Sequence, residues 1–166
     1  MEQRIRGIQW IEKSKTAECL ADPTISIRAV PLLSGLEAEV IRLDVTGIGL
    51  QAVLKVWNRI SKPDIDFQYR LLSTLYAQGL PVSQPLGWGF DREQNPVLLT
   101  SFDGSPVRKI DKPFLKTIAG MLIAVHQVKV DQWDESLRRK VDFVRHFFPN
   151  LDDHPDLAEP VARQQR

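Results

Sequence analysis

Residues 1–21 set apolar positions at Ile5, Ile8, Trp10 and Ile11 among charges, a spacing close to a helical stripe, and Asp22-Pro23 interrupts it. The pattern then changes period. Ile25, Ile27 and Ala29 alternate with polar residues, which predicts a half-buried strand near 24–33. Ser34-Gly35 reads as a turn, and Val40 to Val45 as a second strand. Thr46-Gly47-Ile48-Gly49 makes a hairpin turn into a third strand, Leu50 to Trp57.

Ser61-Lys62-Pro63-Asp64 has the composition of a helix start, because proline needs no amide partner there and a carboxylate can accept an orphan N–H. Phe67, Leu71, Leu72, Leu75 and Tyr76 follow at helical spacing until Gly79 and Pro81 end the helix. Two short strands, Leu86 to Phe90 and Pro96 to Phe102, flank the polar turn 91–95. Asp103-Gly104-Ser105-Pro106 breaks the pattern and marks a candidate boundary. Beyond it, Phe114, Leu115, Ile118, Leu122 and Val125 predict an amphipathic helix over 112–128, with a second helix over 134–147 and a fraying tail over 149–166. The expected architecture is α+β, with about five antiparallel strands and one packed helix.

Composition narrows the function classes. The 166 residues carry 22 Lys+Arg against 21 Asp+Glu, so charge gives no reason to expect a nucleic-acid or polybasic membrane partner. Nothing approaches the ~20 apolar residues of a membrane span, the N-terminus lacks a signal peptide's apolar core, and Cys19 is the only cysteine. A reducing, cytoplasmic setting is the expectation. His126, His146, His154 and Cys19 show no metal-ligand spacing, and neither a Gly-x-Ser-x-Gly elbow nor a Walker-type loop is present. Gly47-Ile48-Gly49 reads as a hairpin turn rather than a phosphate loop, since no helix follows it. The four tryptophans, each beside apolar neighbours, read as packing residues.

Several segments, taken in order, resemble the small lobe of the kinase-like fold in its aminoglycoside phosphotransferase branch. Pro31 to Val40 is similar to the turn that covers the nucleotide, and Ala52-Val53-Leu54-Lys55-Val56 to the strand holding the ATP-positioning lysine. Tyr69 to Leu75 and Gly79 to Leu86 resemble the family's helix and its crossing into the next strand. Val97 to Gly104 resembles the strand and hinge against which adenine lies, and Ile118 to His126 the first long helix of the large lobe. The resemblance divides the chain into a helical extension (1–22), a small lobe (23–103), hinge and opening large-lobe helices (104–148) and a tail (149–166).

It also implies a cofactor site. Gly35 would lie in the covering turn, Lys55 would contact the phosphates of ATP, Gln68 would partner Lys55, and the backbone of Ser101, Phe102 and Asp103 would form the adenine hinge. Each assignment has a plainer alternative: Lys55 as a solvent-facing strand residue, and Gln68 as an ordinary core-edge glutamine. A glutamine at this position lacks the charge attraction of a Lys–Glu pair.

The family's phosphoryl transfer needs a His-Gly-Asp loop, a following Asn and a second aspartate for Mg. No His-Gly-Asp occurs in the sequence. Asp142-Phe143-Val144 is not preceded by a catalytic loop, and Val141, Val144 and Phe148 assign that stretch to a packed helix face. No residue is therefore given a catalytic or metal-binding role. The expectation is an incomplete phosphotransferase, one lobe and the start of another, with a nucleotide as partner and self-association through the surface a large lobe would cover. A non-catalytic binding module and an unrelated α+β domain remain the alternatives.

Overall fold

Alternation of apolar and polar positions builds a six-stranded sheet between two sets of helices. The computed structural model describes residues 1–34, 38–61, 63–105 and 110–140. The chain divides into two units, Met1–Gln127 and Val128–Arg166. In the first, α1 (Glu2–Arg6), β1 (Gln9–Lys13) and α2 (Lys15–Cys19) precede β2 (Ser26–Ser34), β3 (Ala38–Thr46) and β4 (Leu50–Trp57). Then come α3 (Ile65–Ala77), β5 (Pro85–Phe90), β6 (Pro96–Ser101) and α4 (Lys112–His126). The strand order is β1-β5-β6-β4-β3-β2 and every pairing is antiparallel. Gly47 and Gly49, both with positive φ (100° and 62°), make the turn between β3 and β4.

The sheet buries both faces. One carries Ile41, Leu43, Ala52, Leu54, Val97 and Leu99, which pack on Ile5, Ile8, Ala17 and Leu20 of the N-terminal segment. The other carries Trp57 and Leu98, which pack on Ile65, Tyr69 and Leu72 of α3. Asp64 caps α3 by accepting from the Phe67 N–H at 3.0 Å, as its position before the apolar stripe predicts. Asp111 does the same for α4 through the Phe114 N–H at 3.0 Å. Unlike α3, α4 has no buried residue, and Leu115, Leu122, Ile123 and Val125 are exposed.

Two expectations change. The sheet has six strands rather than five, and residues 1–22 are not continuously helical, because β1 lies between two short helices. The stripe Ile5, Ile8, Trp10, Ile11 mimics a helix only because α1 and β1 abut. β1 joins the edge of β5 through the pairs Gln9–Phe90 and Trp10–Gly89. Gly89 makes this approach possible: a Cβ there would lie 2.1 Å from the Gln9 carbonyl oxygen.

Arginines fasten the N-terminal segment. Arg6 donates to the carbonyls of Leu20, Asp22 and Ile25 and pairs with Glu2. Arg4 donates from Nε to Asp91 at 2.8 Å and from a terminal nitrogen to Glu39 at 3.0 Å. Asp91 is 1% exposed and also accepts from the N–H groups of Glu93 and Asn95. In the second unit a 3-10 turn, Val130–Gln132, leads to helical residues 135–140 with Trp133 and Leu137 buried. The remainder of the expected 134–147 helix and the 149–166 tail lie outside the described residues. Among the described residues no helix is long and apolar enough to cross a membrane.

Candidate functional site

Strand register gathers the polar residues of the α3-facing side of the sheet into rows. β3 and β4 pair Val40 with Lys55 and Arg42 with Val53, while β4 and β6 pair Lys55 with Leu98 and Val53 with Thr100. Side chains two apart on a strand share a face, so Val40, Arg42, Val53, Lys55, Leu98 and Thr100 point the same way. α3 follows β4 and packs against β5 and β6, which leaves a cleft of about 920 Å³ beside it. The sheet supplies the floor, Gln68, Leu71 and Leu72 of α3 one wall, and Ser83 and 101–105 the far end.

Five of the six residues expected at a cofactor site line this cleft: Lys55, Gln68, Ser101, Phe102 and Asp103. They come from β4, α3, β6 and the segment after β6, elements far apart in sequence. The sixth, Gly35, lies outside the described residues. Lys55 is exposed, and among the described residues its side chain makes no hydrogen bond or ion pair. Gln68 borders the same cleft without bonding to it, so the anticipated Lys55–Gln68 partnership is proximity only. An unpaired ammonium at the edge of an apolar floor is available to an anionic ligand.

The segment after β6 is fixed by its own hydrogen bonds. The Ser101 N–H donates to the Gln84 carbonyl at 2.9 Å, and the Phe102 N–H to the Gln51 carbonyl at 3.3 Å. Asp103 accepts from the Ser101 hydroxyl at 2.7 Å and the Ser83 hydroxyl at 2.5 Å, tying the β6 exit to the loop before β5. Two of the three hinge N–H groups are thus committed within the protein.

Sequence reasoning missed Arg42. Its guanidinium lies 5.4 Å from the centre of the Phe102 ring and donates from a terminal nitrogen to Asp44 Oδ2 at 3.1 Å, while its buried Nε, 3.0 Å from Asp44 Oδ1, makes an ion pair but no hydrogen bond. The Gln51 amide, joined by Arg42, holds the Asp44 carboxyl below its ordinary value despite a counteracting desolvation. The signal was present in the alternation of β3, where a cation two residues after Val40 must share its face. A second cavity of about 750 Å³, bordered by Arg4, Glu39, Trp57, Arg59 and Glu93, lies at the opposite end of β4. Among the described residues no group of three His, Cys, Asp or Glu side chains comes together as metal ligands. No protein-family model, no curated protein and no solved structure matches this chain.

Proposed function

We propose that the cleft binds a nucleoside triphosphate, and that the chain is the nucleotide-facing part of a kinase-like phosphotransferase of the aminoglycoside type. The observation that carries this reading is the convergence of Lys55, Gln68 and 101–103 on one cleft of about 920 Å³. Those residues were chosen from three separate motifs, and an unrelated α+β domain gives no reason for them to meet. The strand order β5-β6-β4-β3-β2, with α3 between β4 and β5 in sequence, adds support, since the resemblance calls for one helix beside an antiparallel sheet.

In this reading the Lys55 ammonium stabilises the phosphate charge of ATP and fixes its position, while Gln68 limits where that side chain can swing. The base lies toward Ser101, Phe102 and Asp103 over the apolar floor of Val40, Val53 and Leu98. Mg accompanies the triphosphate from solution, and no residue here is assigned to hold it. The sequence offers no counterpart of the His-Gly-Asp aspartate, so the proposed activity of this chain is nucleotide binding rather than phosphoryl transfer. ATP with Mg is expected to raise the thermal midpoint of the wild type and not that of Lys55→Ala. Equal stabilisation of both proteins would sink the assignment of Lys55.

A second reading rests on α4, whose Leu115, Leu122, Ile123 and Val125 are all more than half exposed. Here the chain associates with a second copy through that helix, independently of nucleotide. Sedimentation that stays monomeric across a hundredfold concentration range would exclude it.

A further inference from the structure

We infer that a nucleoside triphosphate binds this cleft without help from a divalent cation, the Lys55 ammonium meeting phosphate charge that Mg meets in the phosphotransferases the chain resembles. The inference rests on the nucleotide reading above. Mg takes hard oxygen ligands, and a nucleotide site anchors it through one or two carboxylates together with the phosphates. Whether such an anchor exists is read from the donor set around Lys55.

That donor set does not fit Mg. Val40 and Leu98 flank Lys55 in the sheet, and α3 adds Leu71, Leu72 and a single polar group, the Gln68 carboxamide. The acids at the start of α3 serve elsewhere: Asp64 caps the helix through the Phe67 N–H, and Asp66 pairs with Arg70 at 3.6 Å. Asp103 is the one carboxylate among the described residues that line the cleft. Its two oxygens accept the Ser101 and Ser83 hydroxyls, which tie it to the β6 exit. Ser101 faces Ala52, three residues along β4 from Lys55, so this carboxylate is anchored about 10 Å down the strands from the Lys55 row. Asp44, beyond the lining, already receives the Gln51 amide and Arg42. A metal carried by phosphates at Lys55 therefore meets no carboxylate of the described residues.

The same end of the cleft is instead built to receive uncompensated negative charge. Lys55 has no ion-pair partner among the described residues, so its charge is undivided. Gln68 is neutral, where an acidic partner would share that charge. Arg42 adds a second cation on the diagonal position of the neighbouring strand, partly offset by Asp44. Coulomb attraction to such a field grows with ligand charge. Mg cancels part of the phosphate charge, and here it gains no protein contact in return.

Calorimetric titration of the full chain with ATP, in excess Mg and again in EDTA at matched ionic strength, tests this. The wild type is expected to bind ATP in EDTA as tightly as in Mg, or more tightly. Lys55→Ala is expected to lose more affinity in EDTA than in Mg, because Mg in solution replaces part of the missing charge. Weaker wild-type binding in EDTA, by about tenfold or more for a site that anchors the metal, overturns the proposal and leaves the nucleotide reading standing. Equal losses for Lys55→Ala in the two buffers also overturn it. If the variant does not fold or binds in neither buffer, the wild-type ratio alone decides. A wild type that binds ATP in neither buffer overturns the nucleotide reading itself.

Discussion

Removing the Asp91 carboxylate should cost more stability than any other single polar change among the described residues. Asp91 is 1% exposed and receives four hydrogen bonds: Arg4 Nε at 2.8 Å, the Glu93 and Asn95 N–H groups at 2.9 Å each, and Asn95 Nδ2 at 3.1 Å. Asp91→Ala leaves two backbone donors and one guanidinium edge without an acceptor, at roughly 1–3 kcal/mol for each donor that water cannot reach. The Arg4 side chain is 30% exposed and recovers part of its loss through water, so a total of about 3 kcal/mol is the working figure. At roughly 2–4 °C per kcal/mol for a chain of this size, the thermal midpoint should fall by about 6–12 °C. Circular dichroism melting, with urea titration for the free energy, measures it. Asp91→Asn keeps one acceptor oxygen for the turn but loses the charge, and should fall between wild type and Asp91→Ala.

The pH dependence gives an independent check on the same network. Burial alone would raise the Asp91 carboxyl, but the Asn95 N–H, Arg4 and the Asn95 side chain outweigh it and hold it below the ordinary carboxylate value. Its stabilising contribution is therefore complete above the unfolded-state value and is lost as pH falls through the lower folded-state value. The gap in stability between wild type and Asp91→Asn should narrow in that acidic window and stay constant near neutrality. A gap under about 1 kcal/mol at pH 7 for Asp91→Ala, or one that widens in acid, would refute the reasoning.

Gly89→Ala forces a Cβ to within 2.1 Å of the Gln9 carbonyl oxygen, so β1 must leave the sheet edge. The expected result is rapid amide exchange over 9–13 with β2 to β4 still protected, at a cost of about 2 kcal/mol or more. Leu54→Ala, at a site 1% exposed in the core between the sheet and the N-terminal segment, should lower the unfolding free energy by about 2–5 kcal/mol, read by urea titration. Arg6→Ala removes donors to three carbonyls and should admit protease near 20–25 before the sheet is cut.

Much of the sheet was legible because its signals are local. Period-two alternation in 26–57 and the Gly47–Gly49 turn mark three strands, and Asp64 marks the start of α3. β1 was hidden because its alternation runs over only five residues and joins a helical turn at Gly7, so the combined spacing imitates one helix. The glycines of Gly87-Trp88-Gly89 were the missed clue: side-chain-free positions inside a strand signal a backbone passing close by. At the cleft, motif order identified Lys55 and the hinge. It did not identify Arg42: Asp44 lies two residues along the same strand, but Phe102 comes under the guanidinium only when β3, β4 and β6 align, a long-range event.

The central claim is that the cleft bordered by Lys55 binds a nucleoside triphosphate, and calorimetric titration of wild type and Lys55→Ala with ATP and GTP tests it most directly. The account predicts saturable one-to-one binding by the wild type, weakened about tenfold or more in a Lys55→Ala protein whose melting temperature is unchanged. A folded wild type that takes up neither nucleotide at millimolar concentration, or a Lys55→Ala protein that binds as tightly as the wild type, would contradict it.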